Sequence, residues 1–288
     1  MNSAEMKARA KINLSLDVLR KREDGYHEVK MIMQLVQLHD RISLDIIPKG
    51  IQVVTDCPWL PAGSGNTVYR AAELIKNRFS ISKGIRIKIR KRIPVAAGLA
   101  GGSSDAAAVI KGMNRLFDLK LGERELMAIG KQVGADVPYC IMGRTALAEG
   151  IGELLTELQA LPRLHIVLIK PKIHISTKWV YENLDLDKVR QRPDTDRLLK
   201  AITEGNFRDL ARNMVNVLET VTIKKYPVIG EIKERLLSLG AAGSLMSGSG
   251  PTVFGIFEGR HAARLAYNSI KSCNWYSCLT ETFVGGDK

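Results

Sequence analysis

At 288 residues, 45% hydrophobic and 25% charged, the chain has the composition of a folded protein with room for one large or two modest domains. No apolar run approaches the roughly 20 residues of a membrane span, and the N-terminal stretch alternates polar and apolar residues with no continuous apolar core of a leader. Four scattered cysteines and five dispersed histidines form no zinc-type cluster, so the expectation is reduced thiols in a cytoplasmic protein. A net charge of +13 leaves open a nucleic-acid surface, a site for polyanionic small molecules or a uniformly basic protein.

The first element is a period-two strand over residues 8–18. Ala8, Ala10, Ile12, Leu14, Leu16 and Val18 share one face; Arg9, Lys11, Asn13 and Ser15 share the other. Lys11 and Asn13 therefore aim an ammonium and an amide at one spot, although such a polar face is ordinarily a solvated one. A polar loop over 20–25 leads to strands at 29–38, 41–47 and 51–55, and Pro58, Pro61, Gly63 and Gly65 mark the next loop. Asn66 is a helix cap, followed by an apolar face of Val68, Ala71, Ala72, Leu74, Ile75 and Phe79.

A strand over 85–93 alternates Arg86, Lys88 and Arg90 with isoleucines, one face buried and one wet. It runs directly into Pro94-Val95-Ala96-Ala97-Gly98-Leu99-Ala100-Gly101-Gly102-Ser103-Ser104-Asp105, and an alanine-rich helix leads out to about residue 117. Small residues between a strand and a helix N-terminus turn backbone N–H groups outward and make an anion nest for a di- or triphosphate. No lysine follows the last glycine and the spacing is not G-x-G-x-x-G, so neither common phosphate loop is present.

A second helix spans 122–133 and ends at Gly134; Gly134-Ala135-Asp136-Val137-Pro138 then sets an acid between a small-residue turn and a proline. On its own, Asp136 reads as a turn cap. Residues 144–157 form a strand pair broken at Gly150 and Gly152, a strand follows at 164–169, and helices are expected at 177–183, 194–203, 207–217 and 227–239. The turn Ser247-Gly248-Ser249-Gly250 precedes a strand at 252–257, a helix at 261–272 and a last strand at 276–283. Strands and helices mix in both halves, which places the chain in the α+β class.

Three stretches together, A-K-x-N at 10–13, P-x-x-x-G-L-x-G-G-S-S at 94–104 and S-G-S-G at 247–250, resemble the three motifs of the GHMP kinases. Two more, R-E-D-G-Y-H at 22–27 and G-A-D-V-P at 134–138 with A-E-G-I-G-E at 148–153, are similar to the branch of these kinases acting on a cytidine-diphosphate-linked methylerythritol in non-mevalonate isoprenoid synthesis. The resemblance runs over nearly the whole chain. It implies a two-domain α+β GHMP fold, with a ribosomal-S5-domain-2-like mixed α/β domain over 1–160 and a ferredoxin-like α+β domain over 161–288.

The resemblance further implies ATP and Mg²⁺ as cofactors and a 2-hydroxyl as phosphoryl acceptor. Asp136 matches the family's catalytic base and Lys11 its partner. Asn66, Pro94, Gly98, Leu99, Ala100, Gly101, Gly102, Ser103 and Ser104 match ATP-binding positions, with Ser104 a place for the metal to rest. Asn13 and Ser247, Gly248 and Ser249 match substrate contacts, while Tyr26, His27 and Tyr181 match the residues that hold the cytosine. Ala100 stands where many relatives have glycine, an exchange that a negative φ would tolerate, and Met33 stands where some carry an aromatic near the cytidine.

A small-molecule partner is thus expected, with no nucleic acid, no membrane, and a monomer or weak homodimer. Two other readings remain. One is a GHMP kinase for homoserine or mevalonate, against which Asp24 to His27 speaks; the other is a basic nucleic-acid-binding protein, for which the aromatic-and-basic stripe is missing.

Overall fold

The computed structural model describes residues 2–271 and 273–285. The chain opens with two long strands, β1 (Ser3–Lys21) and β2 (His27–Ile47), which pair with each other. Contacts divide the chain into two compact units, each assembled from separate stretches. One comprises the chain up to Ala10, Leu38–Val95 and Ala100–Gly143; the other comprises Lys11–Gln37, Ala96–Leu99 and everything from Arg144 onward.

In the first unit, residues 41–47 of β2 pair antiparallel with β4 (Gly84–Arg90), and β3 (Ile51–Thr55) lies parallel to β4. The parallel pair needs a crossover, and α1 (Thr67–Arg78) supplies it. Ile85, Ile87 and Ile89 are buried while Lys88 and Arg90 are exposed, as the alternation predicts. α2 (Gly101–Leu116) is an interior helix, buried from Ser104 through Ile110. Gly112 brings it onto β2 so closely that a Cβ there would stand 2.2 Å from Leu44 Cδ1. Helices α3 (Glu123–Val133) and α4 (Val137–Met142) complete the unit.

In the second unit, residues 31–33 of β2 pair antiparallel with β5 (Ala146–Glu149), which turns at Gly150 and Gly152 into β6 (Leu154–Glu157). A separate four-stranded antiparallel sheet has the order β10 (Tyr276–Glu281), β7 (His165–Lys170), β9 (Val253–Phe257), β8 (Gly243–Met246). Helices α5 (Thr177–Glu182), α6 (Thr195–Thr203), α7 (Phe207–Arg212) and α8 (Glu219–Lys225) precede α9 (Val228–Ser238), which packs on β8 and β9. α10 (Arg260–Ile270) packs on β7, β9 and β10. Ile166 to Ile169, Phe254, Phe257, Ile232, Leu236 and Ala266 form the core between them.

Four expectations change. The strands expected at 29–38 and 41–47 are one strand, because Asp40 is a fully buried acceptor rather than a turn residue. Residues 137–142 are helical, since Pro138 sits in the first turn, where its missing N–H has no partner to lose. The helix expected over 207–217 stops at Arg212, and residues 215–217 instead run beside β1: Leu16 N–H donates to Val215 O and Val217 N–H to Leu16 O. The strand β8 and helix α8 carry no clear period in the sequence. Ser272, the expected end of the last helix, lies outside the described residues.

None of the four cysteines is in a disulfide. Among the described residues no helix is long and apolar enough to cross a membrane.

Gly243 opens β8 with no space for a side chain: a Cβ would lie 1.9 Å from the backbone oxygen of Ala211. Gly243→Ala is therefore expected to lower the unfolding free energy by about 2 kcal/mol or more. Chemical denaturation measures it.

Candidate functional site

β1 is buried on both faces. Arg9, Lys11, Asn13, Ser15 and Asp17, the polar stripe that a solvated strand would turn to water, are each 7% exposed or less. Polar groups removed from water need partners. Lys11 Nζ donates to Asn13 Oδ1 at 2.7 Å, and Asn13 Nδ2 donates to Met31 Sδ at 3.1 Å. An ammonium has three donors, so this bond leaves Lys11 able to reach an anionic group as well.

Lys11 also holds the glycine-rich loop, its N–H donating to Leu99 O at 3.1 Å. The preceding residue, Gly98, has φ +74°, and a Cβ on it would stand 2.2 Å from Ser247 O. Glycine is required there twice over, by backbone conformation and by space. Ser247 Oγ donates to Gly98 O at 2.9 Å, and the space beside Gly248 is bounded by Gly98 O and Asn13 Oδ1. The second unit thus brings Lys11, Asn13, Gly98, Leu99, Ser247 and Gly248 together, while Ser249 Oγ shares a 2.7 Å hydrogen bond with Thr177 Oγ1.

The hairpin between β1 and β2 explains R-x-D-G-Y-H. Arg22 forks onto Asp24, with Nη2 to Oδ2 at 2.9 Å, and Asp24 Oδ1 accepts from Tyr26 N–H at 3.1 Å. The hydrogen bond from Arg22 holds the Asp24 carboxyl below the usual carboxylate range. Arg22 N–H donates to Tyr26 O, and Gly25 takes the φ of +84° that closes the turn. The result is a tyrosine, Tyr26, 61% exposed on a pinned backbone.

His27 lies against Tyr181, ring centroids 5.1 Å apart and tilted 37°. Burial, then nearby Lys21, lowers the His27 pKa, so the ring is neutral at pH 7 and offers one donor and one acceptor. Tyr181 is half-buried; Val180 is the residue of α5 that enters the core. Met33 is fully buried, so it belongs to the core and forms no accessible wall.

In the first unit, α2 begins at Gly101 with no side-chain cap, which leaves first-turn N–H groups facing outward. Ala100 before it has φ +54°, so the negative φ that would make alanine harmless is not what the chain adopts; left-handed alanine costs about 1 kcal/mol. Thr67 Oγ1 donates to Gly102 O at 2.8 Å. Ser104 is buried with its hydroxyl donating to Arg9 O at 2.6 Å, so only its lone pairs remain for a metal or phosphate group. Asn66 is occupied twice, accepting from Val68 N–H as the cap of α1 and donating to Pro61 O. Pro94 is half-buried at the mouth of the loop, and Ser103 is half-buried in the first turn of α2. Asp136 stands at the start of α4 without making a side-chain cap bond, so its carboxylate is not spent on the helix.

One cluster escaped the sequence reading. Lys91, the residue after β4, donates to Asp105 Oδ2 at 2.8 Å and to Asp40. Asp40 also accepts from Arg92 N–H and Ile93 N–H, so it fixes the entrance to the glycine-rich loop. The two carboxylates outweigh burial and hold the Lys91 pKa up, whereas burial pushes the Asp105 carboxyl up to about 7 against the pull of Lys91. Asp105 has the weaker support, since its Oδ1 is buried without a hydrogen-bond partner. Three charged residues far apart in sequence leave no local pattern. Among the described residues no cluster of three or more acidic, histidine or cysteine side chains stands ready for a metal.

Two family models match the chain, GHMP kinases N terminal domain over residues 66–144 and GHMP kinases C terminal over 198–276. It is a GHMP-type small-molecule kinase with a two-domain α+β fold. The 4-diphosphocytidyl-2-C-methyl-D-erythritol kinase of Acetivibrio thermocellus is 61% identical over 282 residues, 98% of this chain and 100% of the relative. A crystal structure of 4-(cytidine 5'-diphospho)-2C-methyl-D-erythritol kinase matches with TM-score 0.85 and 34% identity, covering 98% of this chain and 100% of that one. Homoserine kinase from Cytophaga hutchinsonii matches with TM-score 0.79 at 21% identity, over 99% of this chain and 95% of its own, a likeness of fold alone. The chain belongs to the 4-diphosphocytidyl-2-C-methyl-D-erythritol kinase family.

The buried acid sets a pH dependence. Asp105 in the folded chain holds its proton up to about pH 7, while an unfolded aspartate loses it near the ordinary value of 3.8. Between those values the unfolded state binds fewer protons, so this group's contribution to stability falls as pH rises and is level above about pH 7. The gap in melting temperature, Asp105→Asn minus wild type, should therefore grow from pH 4 to pH 7 and then stay constant. Thermal unfolding across that range reads it.

Proposed function

We propose that the protein transfers the γ-phosphoryl group of ATP to the 2-hydroxyl of 4-diphosphocytidyl-2-C-methyl-D-erythritol. The observation that carries the substrate side is the hairpin at residues 22–27. Arg22, Asp24 and Gly25 are engaged in holding one exposed tyrosine, and His27 beside it is paired with Tyr181. A flat heterocycle with mixed donors and acceptors suits two aromatic rings and a neutral imidazole. Tyr26 and Tyr181 hold the cytosine by stacking and His27 by hydrogen bonds.

The phosphate side follows from the loop. N–H groups of Gly98, Leu99 and Ala100 and of the first turn of α2, through Gly101, Gly102 and Ser103, receive the phosphates, supported by the uncapped helix start and by the lack of a side chain at Gly98, Gly101 and Gly102. Pro94 and Asn66 flank the adenine, with Asn66 acting through the fixed backbone that it caps. The described residues offer no carboxylate cluster for Mg²⁺, so the metal would be carried mainly by phosphate oxygens and water, with the Ser104 lone pairs beside it. Bound there, it would supply charge neutralisation to the leaving diphosphate.

In the reaction an oxygen–phosphorus bond forms at the 2-hydroxyl and the bond to the β,γ-bridging oxygen breaks, releasing ADP. Asp136 accepts the hydroxyl proton, a role supported by a carboxylate that caps no helix. Lys11 neutralises developing charge, and Asn13, gripping Lys11, orients the acceptor end of the substrate. Ser247, Gly248 and Ser249 support the loop and the substrate.

Asp136→Asn is expected to bind both substrates and lose at least about a hundredfold in kcat; near-normal kcat would make Asp136 structural. Tyr26→Ala should raise KM for the cytidyl alcohol about tenfold and leave KM for ATP unchanged. ADP release with the cytidyl alcohol, homoserine and mevalonate decides between acceptors. Faster turnover of either simple alcohol would overturn the assignment.

A further inference from the structure

The turn Ser247 to Gly250 is held by two side chains that the reaction does not use. Asn216 lies 2% exposed in the extended stretch between α7 and α8. Its Nδ2 donates to Met246 O and to Gly248 O, both at 2.8 Å, and its Oδ1 accepts from Leu218 N–H at 3.0 Å. Every hydrogen-bonding position of the amide group except one acceptor lone pair is therefore in use. Glu219, three residues on, accepts from Met246 N–H through Oε1 at 2.8 Å, and its other oxygen is gripped by Lys233. Two side chains thus fix three backbone groups on the two sides of Ser247.

The other end of this brace is β1. The backbone of residues 215–217 is bonded to Leu16 through both of its strand-side groups, an isolated parallel bridge at Leu16 and Asn216. A closed circuit results within the second unit. From Leu16 it passes through Asn216 to Gly248, through Ser247 to Gly98, and through Leu99 O to the N–H of Lys11, five residues from its start. Every link is a hydrogen bond or a covalent neighbour, and Gly98 has no slack because Ser247 O already occupies the space of a Cβ.

We propose that Asn216 and Glu219 are positioning residues for the phosphate loop: they set the height of the S-G-S-G turn over β1 and so the place of Gly98 relative to Lys11. The inference rests on the reading of the loop as the ATP cradle. It assigns a role to the spacing N-x-x-E at 216–219, whose two side chains bond the backbone of Met246 and Gly248 on either side of Ser247. Glu219 is the stiffer half, since Lys233 fixes its second oxygen, and burial raises its pKa while Lys233 and Met246 N–H pull it down.

The test measures binding of a non-hydrolysable ATP analogue by calorimetry, together with KM and kcat per folded molecule. Asn216→Ala and Glu219→Ala should each weaken analogue binding about tenfold or more, the equivalent of leaving buried backbone groups unpaired. KM for ATP should rise in step. Glu219→Gln keeps an acceptor for Met246 N–H and should bind within about threefold of wild type, although it loses the charge facing Lys233. If Asn216→Ala does not fold, Asn216→Asp replaces it, because it retains the acceptor for Leu218 and loses both donations. Wild-type affinity and KM in the folded Asn216 and Glu219→Ala variants, with only a lower melting temperature, would overturn the proposal. A wild-type enzyme that binds the analogue but does not phosphorylate the cytidyl alcohol would sink the preceding reading and leave this test intact.

Discussion

The second unit turns on one approach of two backbones, Ser247 O against the Cα of Gly98, closer than any side chain would allow. Nothing flexible intervenes, so the position of the S-G-S-G turn and that of the loop are one quantity. The turn in its place depends on Asn216 and Glu219, and these depend on the stretch that runs beside Leu16. Lys11 hangs from the same strand and holds Leu99. A single strand therefore carries the lysine and, by two routes, the loop residues next to it. Preorganisation of this kind is what phosphoryl transfer needs, because positioning and fixed charge do most of its work.

In the first unit the corresponding constraint is electrostatic. Lys91 lies between two acids, and of these Asp40 also anchors the backbone of Arg92 and Ile93. The cation thereby ties the last residue before the loop to the helix after it. A buried ion cluster of this kind is a poor source of net stability, but breaking it leaves an uncompensated charge, so it acts as a register pin. Most of the other basic residues near it are ordinary. Lys88 and Arg90 face water on the wet side of β4, and the net charge of +13 is largely of that sort.

Much of this was legible in the sequence where the signal is local. The period of β1, the alternation in β4, the cap at Asn66 and the small residues before α2 each follow from neighbours within a few positions. The hairpin motif was legible as a motif, and its mechanism, Arg22 on Asp24 on Tyr26, became visible only in the fold. What could not be read are features set by distant partners. Asp40 looks like a break until Lys91 is beside it, and Asn216 looks helical until Leu16 claims the backbone on either side of it. The polar face of β1 looks wet because periodicity reports alternation, whereas burial depends on what covers the strand.

That buried polar face sets a conflict between endurance and activity. Arg9, Lys11, Asn13, Ser15 and Asp17 occupy interior positions where a well-packed apolar side chain would raise the melting point, since desolvated polar groups are at best neutral for folding. Selection for heat resistance alone, in a laboratory or in a hot habitat, would therefore be drawn to these positions first. At Lys11 and Asn13 such a gain would remove the ammonium–amide pair on which the proposed reaction relies. On the proposed mechanism those two positions are closed to thermal adaptation, which must find its increments elsewhere in the chain.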